Sequence, residues 1–205
     1  MPGKVRKRRS SAASRSDRMP PIPKAKQTAA QRAAALELAA TPRGGVIGPF
    51  VPALRSPEFM ARLQRLGEYL RYHCALGPRL TEFAILLTAR AWTQQIEWSI
   101  HAKAARAAGL SSATIAAIAA GRRPAGLEAD EAVVYDFFAE LEGARSVGDA
   151  TYARARAALG EQGIVDLVGV AGYYATLAML MNVARTPLPR GRRPPLKPLK
   201  ARKTR

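Results

Sequence analysis

The chain has 205 residues, a formal net charge of +18 and one cysteine, Cys74. That single thiol excludes an intramolecular disulfide, a dithiol redox pair within one chain and a multi-cysteine metal site. The charge is carried by the ends: residues 1–18 hold seven Lys/Arg against one Asp, residues 191–205 hold seven and no acid, and residues 19–190 keep a net of only +5.

Ala, Leu and Arg dominate and β-branched runs are scarce, so the expected fold class is all-α. Residues 1–18 read as a disordered basic extension, and residues 19–26 also have almost nothing to bury. The basic start is followed by Ser, Arg and Pro without an apolar stretch, unlike a secretory signal. A first helix is expected from about Thr28 to Ala40, ending before Pro42. Arg43-Gly44-Gly45-Val46-Ile47-Gly48-Pro49 reads as a loop.

Ser56-Pro57-Glu58 has the form of an N-cap with Pro at the first helical position, opening a helix to about Cys74. The next helix spans about Pro78 to Ala91, and Thr93 is placed to cap another through Ala108, with Gly109 as its stop. Ser111 caps residues 112–120. Residues 128–142 form an amphipathic helix with Val133, Val134, Phe137, Phe138 and Leu141 on its apolar side. Asp149 caps 150–159 before Gly160, and 162–184 is a buried last helix. Its most apolar stretch, Leu167 to Met181, is about 15 residues, shorter than the ~20 a spanning helix needs. The protein is therefore expected to be soluble and cytoplasmic, with no membrane partner. The result is a compact bundle of about seven helices over residues 19–190, followed by a disordered basic tail at 191–205.

The chemistry concentrates between Glu82 and His101. On a helix Gln94, Glu97 and His101 share one face at i, i+3 and i+7. An exposed Glu–His pair is one reading of that spacing. Trp92, Ile96, Trp98 and Ile100 make the surroundings apolar, which favours a buried polar stripe whose members perturb each other's protonation.

From Glu82 the polar positions fall at Gln94, Glu97 and His101, and this register resembles the carboxymuconolactone decarboxylase family within the alkyl hydroperoxidase D-like superfamily. Its thiol-active branch carries cysteines where this chain has Gln94 and Glu97. The surrounding text agrees: Arg43-Gly44-Gly45 with Gly48-Pro49-Phe50, Arg79-Leu80-Thr81-Glu82, Ala108-Gly109-Leu110, Gly121-Arg122-Arg123-Pro124 and Gly172-Tyr173-Tyr174. Without the two cysteines, thiol peroxidase chemistry is not expected.

The resemblance implies a cofactor-independent, metal-free carboxy-lyase acting on a small carboxylated lactone of aromatic-compound catabolism. His101 would shuttle the proton, Glu97 would orient its imidazole, and Glu82 would complete the relay. Gln94, Trp98 and Arg90 would contact substrate, with Arg71 and His73 as further candidates for its carboxylates. A trimer or hexamer is implied, and Tyr173-Tyr174, Phe137-Phe138 and Leu177 offer apolar surface for it. The alternatives are a small-metabolite binding protein of the same fold, or another substrate, with basic tails touching polyanions non-specifically. Specific nucleic-acid binding is not expected, because no aromatic is interleaved with the basic residues.

Overall fold

The computed structural model describes residues 16–189 and 191–199. Among them there are eight α-helices and no strand: α1 (Ala29–Ala39), α2 (Phe50–Ala53), α3 (Pro57–Tyr72), α4 (Gly77–Ala91), α5 (Gln95–Ala107), α6 (Ser112–Ala119), α7 (Ala129–Ala144) and α8 (Asp149–Ala184). The centre is α4, whose residues from Leu80 to Arg90 are all buried. It packs on α5, α7 and α8, so its polar members Glu82 and Arg90 are carried into the interior with the apolar ones. A smaller core joins α1, α2 and the start of α3 through Leu38, Phe50 and Met60.

Local sequence accounts for several helix starts. Thr28 and Gln31 form a reciprocal capping box on α1. The Ser111 hydroxyl accepts from Thr114 N at 2.9 Å at the head of α6. Other caps differ from expectation. Ser56 occupies the N-cap of α3, but its side chain makes no cap bond, and Pro57 alone pre-sets the first turn. Gly148 rather than Asp149 is the N-cap of α8, which leaves Asp149 in the first turn, where its charge suits the helix dipole. The two expected C-terminal helices run on as α8 but break at Gly160, whose φ of 68° and ψ of 174° are not helical. By length and composition α8 passes for a membrane span, yet 56% of its most apolar window is buried inside the bundle.

Thr93 is a further correction. It adopts φ 49° in the tight turn between α4 and α5 and is not the cap of α5. Gln94 is: its side-chain oxygen accepts from Ile96 N at 2.7 Å.

The chain ends are more ordered than their composition suggests. Residues 1–15, most of the expected basic extension, lie outside the described residues. Arg18 N donates to Ala184 O at 2.8 Å, and the Arg55 guanidinium donates to Pro20 O at 2.8 Å, tying residues 18–20 to the bundle. At the other end, the expected disordered tail at 191–205 is corrected for residues 191–199, while 200–205 lie outside the described residues. Leu196 is only 2% exposed, and the Gln95 amide bonds both its N–H and its carbonyl at 2.9 Å. Leu196, its two bonds to Gln95 and the bond from Arg90 to Lys197 O dock an otherwise basic, proline-rich strap.

The apolar residues offered as oligomer surface are also corrected. Tyr173, Tyr174, Phe137, Phe138 and Leu177 are all buried in the main core. The exposed apolar side chains lie elsewhere: Phe59, Leu66 and Tyr69 on α3, and Val165, Val168 and Val183 on α8.

Candidate active site

Three helices bring the site together. α4 supplies Glu82, α5 supplies Glu97 and His101, and α8 supplies Tyr173 and Tyr174, all of them buried. His101 Nδ1 lies 2.7 Å from Glu82 Oε2, and the imidazole edge meets the Tyr174 ring with centroids 5.0 Å apart. A Glu82 carboxylate can only accept, so Nδ1 carries the hydrogen and Nε2 presents a lone pair. Among the described residues Nε2 has no hydrogen-bond partner. Burial holds the imidazole below its ordinary pKa; Glu82 opposes this by hydrogen bond and charge, and Arg71 adds to the lowering. At neutral pH His101 is therefore an uncharged base.

The second oxygen of Glu82, Oε1, faces Arg71 Nε at 3.7 Å, an ion pair too long for a hydrogen bond. Arg71 and Glu82 also line a cleft of about 390 Å³, with Tyr72, Cys74, Thr81 and Ala104 around it. The dyad thus reaches the surface on its Glu82 side.

Glu97 does not take the role expected of it. Glu82, not Glu97, orients the imidazole; the i, i+4 spacing to His101 produces no hydrogen bond. Both Glu97 carboxyl oxygens are buried with no partner, and burial pushes its pKa well above the usual carboxylate range. A carboxyl group with no bond to share its charge keeps its proton. Glu97 is consequently a neutral acid beside a neutral base.

The expected substrate contacts fare differently. The Gln94 side chain is already committed, capping α5 with its oxygen and donating to Asn182 Oδ1 at 2.9 Å. Trp98 packs in the main core. Arg90 lies two turns along α4 from Glu82 and is spent on two carbonyls and a hydroxyl: its Nη1 donates to Ala119 O at 3.1 Å and Lys197 O at 3.0 Å, its Nη2 to Thr93 Oγ1 at 2.8 Å. It borders a separate groove of about 710 Å³. Arg71 is the cation that reaches the dyad, whereas His73 is an exposed C-cap of α3.

Two site residues were not assigned roles from sequence. Arg43, in the Gly-rich loop, lies beside the Tyr173 hydroxyl, and Tyr173 in turn senses Glu97. Burial raises Tyr173 to about 12, with the Arg43 charge opposing. Their signal was the Arg-Gly-Gly and Gly-Tyr-Tyr text, which marks positions without saying that 130 residues of separation close in space.

Residues 57–140 match the model of the carboxymuconolactone decarboxylase family, a span that contains Arg71, Glu82, Glu97 and His101. No curated protein and no solved structure matches the chain. From α3 into α7, the chain is similar to the carboxymuconolactone decarboxylase family.

Proposed function

We propose that the protein is a cofactor-independent carboxy-lyase that decarboxylates a small carboxylated lactone by proton transfer at the Glu82–His101 dyad. The observation that carries this reading is the 2.7 Å contact between His101 Nδ1 and Glu82 Oε2 inside the bundle, with the unpartnered carboxyl of Glu97 nearby. In such a reaction the bond from ring carbon to carboxylate breaks and CO₂ leaves. The electron pair passes into the conjugated lactone as an enolate, and one proton is delivered to carbon. Glu97, held protonated, or an imidazolium formed at His101 supplies that proton. Positioned acid–base groups of this kind contribute roughly 10²–10⁴-fold.

Thiol peroxidase chemistry has no place in this reading, because Gln94 and Glu97 occupy the positions the thiol branch gives to cysteine. Assembly with further copies of the chain is part of the proposal, with the exposed apolar side chains of α3 and α8 as its candidate contacts. A site of this kind in the cytoplasm would serve aromatic-compound breakdown.

The test is CO₂ release from 4-carboxymuconolactone by the full chain, with His101→Ala alongside. Release lost in the variant supports the reading. Release from neither protein, with both folded, removes this substrate and leaves a metabolite-binding protein as the alternative.

A further inference from the structure

We propose that the groove between α1, α2 and the segment leading into α1 binds a small amphipathic anion, a monocarboxylate with an apolar body. The groove has a volume of about 530 Å³, within the range of small-ligand sites, and shares no lining residue with the cleft beside the dyad. Its floor is apolar, with Ile22, Ala35, Leu36, Val46 and Leu54. The only charged side chains on its lining are Lys24 and Arg32, both exposed and both positive.

Charge and polarity together select the ligand. Neither Lys24 nor Arg32 has an ion-pair partner among the described residues. The acids nearest in sequence are turned elsewhere: Glu37 of α1 bonds Gln64 and Arg65 of α3, and Asp17 accepts from Met19 N at 2.9 Å. A cation would be repelled, while water or a small hydrated anion finds no hydrogen-bond partner on the floor. An amphipathic anion meets both demands. Its body covers the apolar floor, and its carboxylate stays at the wet rim beside the two cations. Arg32 and Leu36 lie one turn apart on α1, and Leu36 is 72% exposed, so the cationic and apolar parts adjoin on one helix face.

The walls of the groove are fixed by bonds. Gln27 Nε2 donates to Ile22 O at 3.1 Å, the Arg55 guanidinium donates to Pro20 O at 2.8 Å, and Arg32 Nη1 donates to Gln27 O. These hold the segment before α1 against the bundle. Ile22 and Val46 rest on the small core of Leu38, Phe50 and Met60, and Leu54 below them is only 2% exposed. A wall that is ordered beforehand loses little entropy when a ligand arrives.

The site is independent of the lactone chemistry and is tested by calorimetric titration of the full chain with octanoate. Acetate supplies the charge without the body, and 1-octanol the body without the charge. Octanoate should bind more tightly than either, by about threefold or more over 1-octanol, and less tightly as salt is raised. In the double variant Lys24→Gln with Arg32→Gln, octanoate should bind no better than 1-octanol. Leu36→Glu sets an acid on the exposed rim and should weaken octanoate roughly fivefold or more, with a smaller loss in Leu36→Gln. No binding to wild type, 1-octanol bound as tightly as octanoate, or unchanged affinity in either the double variant or Leu36→Glu overturns the site. His101→Ala should bind octanoate as wild type does, so failure of the lactone reaction would leave this result standing.

Discussion

Glu82 and His101, nineteen residues apart on adjacent helices, share a buried 2.7 Å contact between Oε2 and Nδ1, while Glu97, one turn from His101 on the same helix, bonds to nothing. The two carboxyl groups therefore stand in opposite environments. One bonds the imidazole and faces Arg71; the other is buried without a partner, which pushes its pKa upward.

Glu97 should make the fold pH-dependent in an unusual sense. Its folded pKa is raised, so between the ordinary carboxylate pKa and the folded one the native state binds the proton and the unfolded state does not. Stability from this group falls as pH rises through that window. Glu97→Gln should raise the melting temperature at pH 8, by about 2–4 °C for each kcal/mol relieved, and change it little near pH 4. A scanning-calorimetry series across pH checks this; equal shifts at both ends would contradict it.

His101 has the opposite sign. Its folded pKa is depressed, so as pH falls below about 6.5 the unfolded chain gains a proton that the native state resists. Stability contributed here is present above that pH and lost on acidification. In His101→Gln, denaturant midpoints should lose part of their fall between neutral and mildly acid pH. A wild-type slope retained in full would show that other groups are responsible.

The docked strap makes residue 196 structural. Leu196→Ala should cost about 2–4 kcal/mol as a buried Leu-to-Ala change does, and Gln95→Ala should release the Leu196 amide to fast hydrogen exchange. Protection unchanged in Gln95→Ala would contradict the clamp.

Gly67→Ala should be destabilising, since the added methyl would overlap both the hydroxyl oxygen of Tyr173 at 1.9 Å and its ring carbon Cζ at 2.2 Å. Overpacking of this kind costs roughly 1–3 kcal/mol. Tyr173→Phe in the same chain should restore only part of it, because Cζ remains. Full recovery in the double variant, read from chemical denaturation, would place the strain on the hydroxyl alone.

Helix order was legible in the sequence because each boundary carries a local marker: Thr28 with Gln31, Pro57, Gly109, Ser111. The errors at Thr93 and Asp149 are one-residue shifts: Thr93 is taken up by the tight turn at φ 49°, leaving Gln94 as the cap, and Gly148 precedes the first turn in which Asp149 sits. The docked strap was hidden because its composition is that of a solvated tail, and its partners Gln95 and Arg90 lie about a hundred residues away in sequence.

At the site, Glu82, Glu97 and His101 were legible as a group through their spacing and apolar surroundings. Their pairing was not, since helix periodicity places Glu97 beside His101 and says nothing of which carboxyl crosses from the neighbouring helix. Arg90 was misplaced for a related reason: two turns on one helix keep the same face but move a group about 12 Å along the axis.

The most direct test of the dyad is the pH profile of kcat/KM for CO₂ release from 4-carboxymuconolactone, compared between wild type and Glu82→Gln. Glu82 raises the His101 pKa, so its loss should move the acid limb to lower pH while reducing the rate. An acid limb that stays where it was in Glu82→Gln would contradict the pairing of Glu82 with His101 as the proton-transfer centre.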